Sequence, residues 1–198
     1  KIIMKKKLLS IIFILNLFIN NVIALEPDIF VQSTVNRASK LLSEDISKEE
    51  KIEKLMQIAK DTVDIKGIGF YTLGAARKSL TDSEKKEYID KFENYFLKSF
   101  SSRLAEYTNP EIDVFAKEVL NKNYTIVNST LQATNERPEI KIDWRIYTKN
   151  PDQPLIRDLI IEGLSLARTQ KEEFASVIES NNGDVSKLFI TVQEFIDK

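Results

Sequence analysis

Cysteine and histidine are both missing from this chain. Without histidine, Ser-His-Asp and Cys-His catalysis are excluded, and with cysteine also gone the usual zinc ligand sets cannot be assembled. No disulfide can form, although the exported compartment inferred below would allow one. An enzyme built on this sequence would have to work with carboxylate, lysine or tyrosine chemistry. A basic excess is lacking too, since 29 Lys and Arg stand against 30 Asp and Glu. Internal repeats, low-complexity tracts and interior linkers are likewise absent, which favours a single domain.

What is present begins with an export signal. Met4 is followed by Lys5, Lys6 and Lys7, a hydrophobic stretch from Leu8 to Ile19, and a small residue, Ala24. A basic start, a short apolar run and a small-residue exit describe a secretory signal peptide. A spanning helix needs about 20 apolar residues. This run is shorter and interrupted by Ser10 and Asn16, so an uncleaved anchor is the lesser alternative. The chain thus divides into a signal peptide, residues 1–24, cleaved near Ala24, and one domain, residues 25–198. Without the four lysines of the leader, 25 basic residues face 30 acidic ones, a net of −5. Overall charge of that sign excludes a nucleic-acid binder and gives no attraction to anionic lipid surfaces by charge alone.

At 42% hydrophobic and 30% charged, the chain is ordinary globular material, and the domain is long enough for a sizeable core. Asp28 is expected to cap a first helix whose apolar residues are Ile29, Val31, Val35, Ala38, Leu41 and Leu42. Ser47 and Glu50 form a capping pair ahead of a second, with Ile52, Leu55, Met56 and Ala59 on its inner side. Gly67, Gly69 and Gly74 crowd the next segment. A helix rather than a strand precedes them, so they indicate a short, closely packed helix ending near Gly74 and not a phosphate loop. Thr81 and Glu84 open the longest helix, expected over 82–107, with Asn109-Pro110 beyond it. Its inner stripe is Tyr88, Phe92, Tyr95, Phe96, Phe100, Leu104 and Tyr107.

From residue 112 the period changes to two. Segments 112–120, 124–134, 139–148 and 155–161 read as four strands joined by short turns. In the third, Ile140, Ile142, Trp144 and Ile146 share one face, and Lys141, Asp143, Arg145 and Tyr147 the other. Gly163 breaks the last strand, Ser165 can cap, and helices are expected over about 166–180 and 184–197. The order predicts an α+β domain, a curved four-stranded antiparallel sheet with several helices packed over one face. Whether the space between the Ile140–Ile146 face and the aromatic stripe is filled or hollow is left open by these patterns.

Two blocks then resemble a known family, the MlaC family of periplasmic phospholipid-shuttle proteins, also called toluene-tolerance auxiliary proteins of an ABC transport system. Asp64, Ile68, Leu73 and Gly74, followed without gaps by residues 81–104, are similar to its first block. Trp144-Arg145, then Asp158, Ile161, Glu162, Gly163, Leu164, Ser165, Leu166 and Phe174, are similar to its second. The Glu-Gly-hydrophobic-Ser-hydrophobic core is the most specific part. The chain departs from the pattern at Ala76 and Arg77, where a Tyr-Trp pair is usual, at Pro154 in place of a tryptophan, and at Lys171 in place of an arginine. These departures bear on pocket shape more than on fold.

The resemblance implies a non-enzymatic, monomeric carrier in the periplasm of a Gram-negative bacterium, without a cofactor and with phospholipid as cargo. It implies acyl chains held in an enclosed apolar cavity and passed between an outer-membrane lipoprotein complex and an inner-membrane ABC transporter, maintaining outer-membrane lipid asymmetry. Hiding two tails of ~30 methylenes is worth on the order of 20 kcal/mol, at ~0.8 kcal/mol each. On this reading the lipid-binding residues are Val63, Ile68 and Leu73, the roof Phe92, Phe96 and Phe100, and the sheet residues Leu131, Ile140, Ile142, Trp144, Ile146, Ile161 and Leu164. Glu162 would bond backbone groups at the corner made by Gly163, with the helix from Ser165 closing one side.

Two other readings compete. An isomerase-like enzyme on a similar cone-shaped scaffold would use Asp143, Asp158 or Glu162 as general base and Tyr147 as hydrogen-bond donor. Asp143 and Tyr147 fall on the outward strand face, which counts against it. A structural or interaction domain with a filled core is the third.

Overall fold

The computed structural model describes residues 25–198. The expected signal peptide lies outside the described residues.

Four helices come first. Helix α1 (Pro27–Leu42) starts with proline at its first position, and Glu26 is the residue before it. Asp28 is therefore inside the first turn and not the cap; its carboxylate meets Lys117 on the first strand at 2.7 Å. The buried side of α1 runs through Phe30, Val31, Thr34, Val35, Leu41 and Leu42, so Ile29, expected inside, is left exposed. Helix α2 (Lys48–Thr62) is capped as expected, with Ser47 accepting from the Glu50 amide. Helix α3 (Ile65–Thr72) is capped by Asp64, whose side chain accepts from the Gly67 amide at 2.8 Å. Gly74, at φ +55°, turns the chain into a single 3-10 segment, Gly74–Lys78. A full capping box at Thr81 and Glu84 opens α4 (Asp82–Leu104). This helix ends short of the expected residue 107 because its last amides, from Glu106 and Tyr107, tighten onto carbonyls three residues back.

The strands are β1 (Ile112–Asn121), β2 (Tyr124–Leu131), β3 (Ile140–Tyr147), β4 (Leu155–Ile161) and β5 (Leu164–Ser165), hydrogen-bonded in chain order and all antiparallel. The fold is α+β as expected, with one strand more than the four expected. The extra strand arises at Glu162 and Gly163, whose positive φ of 49° and 82° makes a two-residue turn and returns the chain along β4. Helices α5 (Leu166–Ser180) and α6 (Val185–Asp197) complete the chain.

The register puts Val127 opposite Trp144 and Trp144 opposite Leu159, with Ile142 between Ser129 and Ile161. This face is covered. Helix α1 crosses β1 and β2, while α3 and α5 meet β4. Helix α4 rests on α2, α3 and α6, and its Tyr88, Phe92 and Leu97 belong to the same hydrophobic cluster as the sheet residues. At the far edge of β4, Val63 continues the ladder as a parallel bridge to Ile156, fixing the α2–α3 junction against the sheet.

Candidate functional site

The apolar layer between the sheet and α4 is built by two periodicities meeting. Alternation brings Ile140, Ile142, Trp144 and Ile146 onto one face of β3, while three- and four-residue spacing sets Phe92, Phe96 and Phe100 along one stripe of α4, and both sets belong to one hydrophobic cluster. Phe92 is the hub. Its ring centroid lies 5.8 Å from Tyr88, 6.2 Å from Tyr95, 6.1 Å from Phe96 and 6.3 Å from Phe174, the last edge-on. Phe96 stacks on Phe100 at 5.4 Å with 13° between the planes. Gly69 lets α3 approach this hub, since a Cβ there would lie 2.8 Å from Phe92 Cδ1.

Polar atoms in the layer are few and mostly bonded, the exception on α4 being the fully buried Ser101 Oγ. Trp144 Nε1 donates to Ser129 Oγ at 2.8 Å, and Ser129 Oγ donates to the Ile142 carbonyl at 3.0 Å. Tyr88 and Thr72 share a buried hydrogen bond of 2.8 Å, and Tyr95 donates to Gln170 at 2.8 Å. Burial pushes both phenols above the usual tyrosine range.

The layer is closed at one end and accessible at the other. Val127 and Ile146 have no exposed surface and Phe92 only 1%, so no water-sized space adjoins them. Toward the start of β3 and the second half of α4, Ile140, Phe96 and Phe100 are only half-buried. Around Val127, Ile146 and Phe92 the layer is thus filled by its own side chains in this structure. Hollows of about 420 and 380 Å³ lie instead on the outer sides of α1 and α4.

Of the residues nominated from sequence, Val63, Ile68, Leu73, Phe92, Leu131, Ile142, Trp144 and Ile146 are buried in one cluster. Phe96, Phe100 and Ile140 pack at its rim. Ile161 is half-buried opposite Ile142, outside that cluster. Leu164 is a correction: the turn at Glu162-Gly163 leaves it 59% exposed. Val127, Ile156 and Phe174 belong to the cluster and were not nominated, although the alternation Val127, Ser129, Leu131 already points to the first.

The three carboxylates of the enzyme reading are engaged elsewhere. Asp158, buried, accepts from Ser165 Oγ at 2.6 Å and the Ala167 amide at 3.0 Å, tying the start of α5 to β4. Asp143 accepts from Asn128 at 2.8 Å. Glu162 accepts from the Lys141 amide at the sheet corner, the backbone contact expected for it. Tyr147 lies on the opposite sheet face from Trp144, beneath the Arg157 guanidinium at 4.5 Å.

Comparison with known proteins was made on this geometry. A family profile described as MlaC protein matches residues 32–194. A phospholipid-binding protein from Ralstonia solanacearum, solved in complex with a phospholipid, superposes with a TM-score of 0.73 at 21% sequence identity, over 87% of this chain and 98% of the other. That likeness is one of fold. No curated protein sequence matches the chain.

Proposed function

The chain belongs to the MlaC family, and on that footing we propose that it is a phospholipid carrier. The observation that carries the reading is the apolar layer between β3 and α4, sealed around Ile146 and Phe92 and accessible at Phe96, Phe100 and Ile140. Acyl chains enter at the accessible rim and displace side chains from within. A drug-sized ligand already needs a pocket of roughly 300–1,000 Å³, so loading requires the sheet and helices to part. A closed unloaded layer suits a carrier, because it leaves no large apolar surface in water between loading and delivery.

The same reading places the protein in the periplasm. There it receives and delivers phospholipid between an outer-membrane lipoprotein complex and an inner-membrane ABC transporter, and so maintains outer-membrane lipid asymmetry. No cofactor and no catalytic step enter this scheme. Native mass spectrometry of gently purified protein, with lipid extraction, tests it. A two-tailed phospholipid of defined stoichiometry is expected. Protein that carries none and takes none from vesicles contradicts it.

A further inference from the structure

Overall charge argues against attraction to anionic surfaces, yet cations are not evenly spread. Lys48, Lys54, Lys85, Lys86, Lys91 and Lys117 are all neutralised in ion pairs. Lys66, Arg77, Lys78 and Lys171, like Lys40, Lys60, Lys122, Lys149 and Lys187 elsewhere, have no ion-pair partner among the described residues, but these four gather in one place. All four surround α3 and the 3-10 segment after it. Arg77 lies 4.4 Å and Lys66 6.0 Å from the Phe70 ring centroid, and Lys171 lies 5.2 Å from that of Tyr71. Lys171 also runs alongside Gly74, where an added Cβ would come within 3.0 Å of its Cε. Tyr71 is 44% exposed. The one carboxylate between residues 64 and 80 is Asp64, already held by Arg157.

We propose that this patch docks the protein reversibly on the surface of an anionic phospholipid bilayer, with Tyr71 at headgroup depth, Phe70 half-buried beneath the cations, and the four cations on the phosphates. Aromatic rings flanked by Lys and Arg suit that interface, where one end of the side chain is apolar and the other wet. Screening over about 8 Å makes the local charge, not the net charge, the quantity a surface senses. A bilayer accommodates an exposed ring flanked by cations without a shaped pocket, which a specific protein partner would need. Each Lys or Arg near an anionic surface strengthens partitioning by a factor of about five. The attachment is therefore weak, salt-sensitive and reversible. It concerns the outer surface, independently of whether acyl chains enter the layer.

Residues 25–198, which carry every element described above, are floated with vesicles of phosphatidylcholine alone or with added phosphatidylglycerol. Partitioning onto the anionic vesicles and its loss at high salt are expected. The variant Lys66→Gln/Arg77→Gln/Lys171→Gln is expected to bind about 100-fold more weakly, while Lys122→Gln/Lys149→Gln/Lys187→Gln, exposed elsewhere on the surface, retains binding. Tyr71→Trp is expected to bind more strongly. Equal losses in both triple variants overturn the proposal. So does a patch that ignores anionic vesicles but binds polyglutamate, which assigns it to an acidic protein. Lipid content by mass spectrometry, read on the same variants, keeps a failure of docking distinct from a failure of cargo binding.

Discussion

Trp144 and Ser129 are diagonal neighbours across β3 and β2, and the indole Nε1 donates to the serine Oγ at 2.8 Å inside a mostly apolar layer. Ser129→Ala leaves that donor buried without an acceptor, a loss of about 1–3 kcal/mol. For a domain of this size the melting temperature is expected to fall by about 2–10 °C. Trp144→Phe removes the donor as well, so the double variant is expected to be less destabilised than the sum of the singles. Thermal denaturation of the four proteins checks this.

Phe92 and Phe100 share a stripe but differ in burial. Phe92→Ala opens a cavity among four neighbouring rings and is expected to cost about 3–5 kcal/mol in urea denaturation. Phe100→Ala, at the accessible rim, is expected to cost less than half as much. If the rim is the entry, Phe100→Ala changes the rate of lipid uptake more than it changes stability.

At Gly69, α3 packs closely on α4. A methyl group there meets Phe92 Cδ1 at 2.8 Å and Ile89 Cδ1 at 2.9 Å. Gly69→Ala is expected to destabilise by about 1–3 kcal/mol through overpacking, despite its better helix propensity. A stabilised variant in urea denaturation would contradict the packing described.

Much of this layer was legible because it is set by local rules. The alternation Ile140, Ile142, Trp144, Ile146 and the Thr81–Glu84 capping box each follow from a few adjacent residues. Asp28 failed as a cap because Pro27 occupies the first helical position and moves the boundary to Glu26. Leu164 failed because its side depends on two consecutive positive φ angles, at Glu162 and Gly163. Lys117 with Glu26 and Asp28, and Arg157 with Asp64, join residues about 90 positions apart and leave no periodic trace. Filled and hollow layers share one hydrophobic pattern, so only coordinates separate them.

Alkaline pH should act through Tyr88 and Tyr95. Burial raises both phenol pKa values above the ordinary value of about 10. The folded state favours the neutral form, so this contribution is complete below about pH 10 and is lost as pH rises beyond it. The urea midpoint is expected to drop progressively as the pH rises above about 10, and to drop less in Tyr88→Phe. Parallel curves for the two proteins would contradict the assignment.

Trp144 is the single tryptophan of the chain and stands in the wall of the apolar layer, so its fluorescence reports on that layer alone. The decisive measurement is its quenching by phospholipid brominated along the acyl chains, supplied from vesicles. Strong quenching that persists after the vesicles are removed, and that unbrominated lipid reverses by exchange, is the predicted result. Emission unaffected by brominated lipid would mean that acyl chains never reach Trp144, and that the layer between β3 and α4 is core and nothing more.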